Sequence, residues 1–192
     1  MAQQGPNPIE VYESAVKALV PILAGVTAAQ INSGTPCSEW SVQSLINHAI
    51  AVQSFGNAVL TKASPNMASM KDVGHALPSE GAEAAVKSIT DTTLAALKSV
   101  NLEDVVETPF GAMPAGNFIM IPITDMIIHK WDLARATGQN ATIDDALAEI
   151  GFQVLSPVIA GGREGGAFGP EVTVLASASA QDRLLGLSGR TP

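Results

Sequence analysis

Phe118, Ile121, Asp125, His129 and Asp132 recur at spacings of three and four, so on a helix they form one stripe. Two carboxylates and an imidazole stand where that stripe should be apolar. Such a break in patterning is expected where function overrides packing. Residues four apart on a helix have Cβ atoms about 5–6 Å from each other. Asp125 and His129 can therefore chelate one divalent ion, and a carboxylate with a neutral imidazole suits Zn²⁺, Ni²⁺, Mn²⁺ or Fe²⁺. The same spacing serves a simple ion pair or hydrogen bond, and on spacing alone both readings stay open. His48 is the only other histidine on a helical face expected to be buried. Two polar groups in one bundle interior need partners, and a metal would supply them to both.

These side chains must be carried by helices. His48 follows Leu45 by three residues and precedes Val52 by four, on a stripe with Val42, Ala49 and Val59. Ser41 caps that helix, and Trp40 is placed to pack on Leu45 as a hydrophobic staple. The helix bearing Asp125 and His129 should run to about Thr137 and stop at Gly138. Upstream, Asn7, Pro8 and Glu10 start a first helix whose apolar face is Ile9, Tyr12, Val16, Leu19, Leu23 and Val26. Pro21 lies inside it and predicts a kink there or a second short segment after it. A third helix opens at Ser79 and packs through Ala82, Val86, Ile89, Thr93, Leu97 and Val100. Residues 61–78 read as a polar loop that can act as a lid, and 101–116 as a loop or short hairpin. A fifth helix begins after Thr142 with Asp145 as a capping partner, and Pro157 ends it. The glycine-rich stretch 161–166 and the tail through Val174 read as irregular, before a short helix from Ser179 to Leu187.

Composition narrows the classes. Hydrophobic residues make up 46% of 192 residues and charged ones 15%, which suits a packed core rather than disorder. Residues 1–192 are read as one domain. A net charge of −8 with only ten Lys and Arg argues against a nucleic-acid partner. Cys37 is the single cysteine, so an internal disulfide and a cysteine-rich zinc site are both excluded. The start MAQQGPNPIE lacks the features of a signal peptide, and no apolar run reaches the length of a membrane span. A cytoplasmic protein with no membrane partner is expected, and a homodimer is compatible with the sequence.

The segments Thr35-Pro36-Cys37-Ser38-Glu39-Trp40-Ser41-Val42 and Leu45 to His48 resemble the actinobacterial DinB-like metal-binding family. Thr124-Asp125 and His129-Lys130-Trp131-Asp132-Leu133-Ala134-Arg135-Ala136-Thr137-Gly138 share that resemblance, as do Asp182-Arg183-Leu184-Leu185 and Gly189-Arg190. This family is related to the N-terminal domain of mycothiol-dependent maleylpyruvate isomerase. The resemblance spans nearly the whole chain. It implies an all-α, DinB-like four-helix bundle of up-down helices with a crossover, plus an additional C-terminal helix and an irregular tail. It also implies a divalent metal, zinc foremost, held by His48, Asp125 and His129, and mycothiol as a thiol cosubstrate approaching the ion. Relatives often carry glutamate at the acidic position, so Asp125 shortens the ligand's reach, and Pro122 one turn earlier is a further departure. The chain shows no counterpart of the separate C-terminal domain of the full isomerase, so maleylpyruvate is not transferred as substrate.

The expected activity is that of a thiol S-transferase or isomerase acting on a small thiol and an electrophilic substrate. The alternatives are a non-catalytic metal-containing binding or sensor protein and, last, a two-histidine, one-carboxylate iron oxygenase. Asp132 either orients the His129 imidazole or pairs with Arg135 or Lys130. Cys37 reads as a packing residue, since nothing cationic lies beside it in sequence, with a reactive thiol as the alternative. His75 reads as a solvated loop residue, with a fourth ligand carried inward by a lid as the alternative. Trp40 and Trp131 read as core or staple residues, with the lining of a ligand cleft as the alternative. Arg163, among glycines, either meets an acidic group of a ligand or is exposed.

Overall fold

Helices carry most of the chain in a computed structural model that describes residues 5–192. The expectation drawn from the amino-terminal stretch falls partly on residues 1–4, outside those described. Four long helices form the bundle: α1 (Pro8–Ala24), α2 (Val42–Leu60), α3 (Ala82–Ser99) and α4 (Ala115–Thr137). Both α1 and α2 pack against α3 and α4. Helices consecutive in sequence therefore lie diagonally at two of the three joins. The connections 25–41 and 100–114 cross the bundle, and the second contains a two-stranded antiparallel hairpin, β1 (Val105–Val106) and β2 (Met113–Pro114). The all-α four-helix bundle with a crossover is thus present. Helices α5 (Asp145–Leu155), α6 (Ile159–Glu164) and α7 (Ala180–Leu187) follow, with α5 packed on α4 and α7 on α5.

The local signals explain most of the boundaries. Asn7 accepts from the Ile9 N–H at the start of α1, and Ser41 accepts from the Ser44 N–H at the start of α2. Gly138, at φ +69°, closes α4, with the Gln139 N–H returning to the Ala134 carbonyl. Three starts and stops differ from expectation. Helix α3 begins at Ala82 after Gly81, which stands at φ +90° with no side-chain cap, so Ser79 lies outside it. Asp144 caps α5 through Ala146 and Leu147, displacing Thr142, which lies two residues too early to be the cap. The stretch expected to be irregular folds into α6, which the Val158 carbonyl begins by accepting from Gly162.

Neither internal proline ends its helix. Pro21 lies within α1, and its carbonyl still accepts from Gly25. Pro122 is accommodated by α2: Gly56 faces its ring, where a Cβ would stand 3.4 Å from Pro122 Cγ, and Gln53 donates to the Pro122 carbonyl at 3.2 Å. The core runs from Tyr12 and Leu19 through Leu45, Phe118, Ile123 and Ile128 to Leu184 and Leu185, all buried. Phe118, fully buried, contributes about 2–3 kcal/mol by leaving water. No helix among the described residues is long and apolar enough to cross a membrane.

Candidate metal centre

His48 on α2 faces Asp125 and His129 on α4. Asp125 Oδ1 lies 3.3 Å from His48 Nε2 and 3.3 Å from His129 Nε2. One ligand atom from each of the three falls within 4.8 Å of the others. Asp125 Oδ2 is buried and meets no hydrogen-bond partner among the described residues. The Asp125 side chain nevertheless keeps 24% of its surface accessible, so the cluster can be reached from outside.

The outer nitrogens of both imidazoles are already engaged. His48 Nδ1 faces the Met70 carbonyl at 3.1 Å, and because a carbonyl only accepts, Nδ1 carries the proton. His129 Nδ1 meets Asp132 Oδ2 at 2.8 Å, and it too donates. In the neutral tautomers each Nε2 then turns a lone pair toward the Asp125 carboxylate. Two lone pairs and an anion converge on one point, which calls for a positive charge between them. Ligand bonds of about 2.0–2.1 Å in a tetrahedral zinc site place neighbouring ligand atoms about 3.3 Å apart. The two observed separations fit that edge, so the residues fit a divalent ion.

Without an ion, a proton is the other way to supply the charge. Burial disfavours the charged form of His129, but Asp125 and then Asp132 outweigh it and raise its pKa well above 6.5. Burial would raise the pKa of Asp125, yet His129 and His48 hold the carboxyl far below the usual carboxylate range. A proton on His129 still leaves the His48 lone pair facing the carboxylate and Asp125 Oδ2 without a partner. A metal ion would serve all three groups.

Asp132 is wholly buried and supports the cluster from behind. Its Oδ2 accepts from His129 and, at 2.8 Å, from an Arg190 terminal nitrogen, while its Oδ1 accepts from Arg190 Nε at 3.2 Å. Burial would raise the Asp132 pKa, but His129 and Arg190 together bring it down to about 2. Of the two roles expected for Asp132, orienting His129 is the one observed. Lys130 instead donates to the Asn140 and Thr142 carbonyls, and Arg135 lies over the Trp131 ring.

The remaining side chains sort by position. Trp40 stands beside the His48 ring at a centroid distance of 4.4 Å and 5.9 Å from that of His129, forming a wall of the cluster. Trp131 is buried core. Cys37 has a cation beside it after all: Arg190 reaches its Sγ at 3.3 Å from across the chain, where sequence adjacency could not show it. His75 is exposed, but its carbonyl accepts from Asn47 and Gln43, and Val73 accepts from Asn47 as well. Together with the His48–Met70 contact, this holds the 61–78 loop against α2. Arg163 is committed to Glu171 and to the Gly169 and Leu187 carbonyls, which corrects the reading of it as a ligand-binding or exposed residue. Arg190, named in the sequence only within the resembling segment Gly189-Arg190, is the residue whose place beside Asp132 the motif spacing did not show. Its signal was Gly189, since a glycine just past a helix turns the next residue back along that helix.

Comparison with known proteins bears on the fold and the family. The profile of the family described as "Mycothiol maleylpyruvate isomerase N-terminal domain" matches residues 12–134. Two uncharacterized proteins of Mycobacterium tuberculosis, from strains CDC 1551 and H37Rv, are each 31% identical over 144 residues, covering 74% of this chain and 74% of their own. Among solved structures, mycothiol-dependent maleylpyruvate isomerase superposes with a TM-score of 0.63 at 18% identity, covering 86% of this chain and 73% of that one. A histidine-to-alanine variant of that enzyme gives 0.65 at 17% identity, with the same coverage. The fold is therefore the DinB-like bundle expected from the sequence. With the profile spanning both motifs that supply the His48, Asp125 and His129 cluster, the chain belongs to the mycothiol maleylpyruvate isomerase N-terminal domain family.

Proposed function

We propose that His48, Asp125 and His129 hold one divalent metal ion, zinc foremost, and that the protein is a mycothiol-dependent S-transferase or isomerase. The observation that carries the metal is the convergence of two imidazole lone pairs on Asp125, whose second oxygen is buried without a partner. The thiol rests on the family relation, in which the named enzyme is mycothiol-dependent. A bound divalent ion with open positions would supply a Lewis acid that lowers the pKa of a coordinated thiol.

The protein groups have separate tasks in this reading. His48 and His129 are held in their donor tautomers by the Met70 carbonyl and by Asp132. Asp125 supplies the negative charge that a divalent ion requires. Trp40 gives the centre an apolar wall that limits water around a thiolate. The electrophile that this thiolate would attack is a small molecule entering by the accessible side of Asp125. We further read 1–192 as one domain acting in the cytoplasm, where low-molecular-weight thiols stay reduced.

Calorimetric titration of the zinc-loaded and chelator-treated protein with mycothiol and with free cysteine tests this. Thiol binding that requires the metal is expected. Stoichiometric metal with no thiol binding would instead support a non-catalytic metal-containing binding or sensor protein.

A further inference from the structure

Arg190 lies outside the four-helix bundle in sequence, yet its guanidinium ends inside the layer behind the candidate metal centre. Helix α7 stops in a Schellman turn. Gly189 stands at φ +83° and donates to the Gly186 carbonyl, and the Arg190 N–H returns to the Leu185 carbonyl at 2.8 Å. A side chain at Gly189 would also press on the backbone of Gly169 and Pro170 at 3.1–3.2 Å. This turn aims Arg190 back at α4, where Nε and one terminal nitrogen take one oxygen each of Asp132. The other terminal nitrogen donates to the Ser188 carbonyl.

We infer that Arg190 is a positioning residue for the metal centre: by holding both oxygens of Asp132 it fixes the acceptor that sets the His129 ring, and so directs His129 Nε2 at the ion. The inference rests on the metal reading above. Asp132 alone could rotate about its last torsion and release Nδ1, allowing the imidazole to turn. A two-point guanidinium fork removes that freedom, and a lysine ammonium, which is a point charge, does not. Cys37, His129 and Asp132 also lie close enough together to resemble a second metal cluster. The Arg190 guanidinium already sits against both Cys37 and Asp132, so that cluster is an arginine site and not a second ion site. The contact to Cys37 extends the same hold to the loop before α2. There Thr35 accepts from the Cys37 N–H and donates to the Trp40 carbonyl, steadying the wall beside His48.

The test compares wild type with R190A, R190K and R183M, using Co²⁺ as the probe metal. Arg183 pairs with Glu149 and ties α7 to α5 without touching Asp132, so R183M controls for general loosening of α7. Affinity for Co²⁺ is read by chelator competition, and ligand geometry by the visible absorption of the bound ion. R190A should bind Co²⁺ about 10–100-fold more weakly with an altered spectrum. R190K should recover only part of that loss, millimolar methylguanidinium should restore R190A, and R183M should match wild type. Wild-type affinity and spectrum in R190A, or an equal loss in R183M, overturns the inference. Imidazole ¹⁵N spectra of the metal-free proteins give a second readout. His129 should show a fixed Nδ1–H in wild type and an averaged ring in R190A, and an unchanged ring overturns the inference. Failure of wild type to bind Co²⁺ overturns the metal reading instead, and the ¹⁵N comparison tells the two failures apart.

Discussion

Asp132→Asn isolates the buried support of the cluster and can be followed as a function of pH. The carboxyl is wholly inaccessible, and its partners bring its pKa from 3.8 down to about 2. A group lowered on folding stabilises the native state above its unfolded pKa. That contribution fades as pH falls through 3.8 and is gone below about 2. The interval corresponds to about 2 kcal/mol. At neutral pH the substitution also leaves the Arg190 guanidinium, with 10% of its side chain exposed, facing a neutral amide. Removing one partner of a buried pair costs about 3–5 kcal/mol. Urea unfolding of the metal-free proteins should therefore show D132N less stable than wild type by about that amount at pH 7. The gap should narrow by about 2 kcal/mol between about pH 5 and pH 2. Asp125 also titrates in acid, but it does so in both proteins and cancels in the difference. Two curves that stay parallel down to pH 2 would refute the assignment of Asp132 as a buried carboxylate held by His129 and Arg190.

Other outcomes follow from the same geometry. The pKa of His129 is raised above 6.5 in the metal-free protein, so metal binding must displace its proton. Zinc affinity measured by chelator competition should rise between about pH 6 and 8, by up to about tenfold per pH unit, and a flat profile would contradict this. Asp144→Ala removes the acceptor for the Ala146 and Leu147 N–H groups and should cost about 1 kcal/mol in urea unfolding, whereas Thr142→Ala should cost much less. Gly186→Ala would put a Cβ 2.5 Å from the Val172 carbonyl oxygen, and a loss of about 2 kcal/mol or more is expected, with α7 exchanging amide hydrogens sooner.

The sequence made the site's chemistry legible before its support. Asp125 and His129 announced themselves by occupying an apolar stripe, and His48 by its place between Leu45 and Val52. Those signals are local, and helix geometry turns them directly into neighbours in space. Arg190 gave no comparable signal, because its partner Asp132 lies 58 residues away and only the packing of α7 on α5 brings the two together. The cation beside Cys37 was invisible for the same reason. The two internal prolines sit within helices that continue past them. How Pro122 is accommodated could not be read from the sequence, because Gly56 and Gln53 on α2 receive its ring and its carbonyl, and those contacts belong to tertiary structure. At the start of α5, Thr142 and Asp144 both satisfy the composition of a cap, and only backbone conformation decides between them.

The metal content of the purified protein tests the central claim most directly. Elemental analysis of wild type, His48→Ala and His129→Ala, each handled in metal-free buffers, reads the number of divalent ions per chain. About one ion per wild-type chain, with near-complete loss in both variants while their helical circular dichroism is kept, is the expected result. Metal at the same stoichiometry in all three proteins, or none in wild type after reconstitution with zinc, would contradict it.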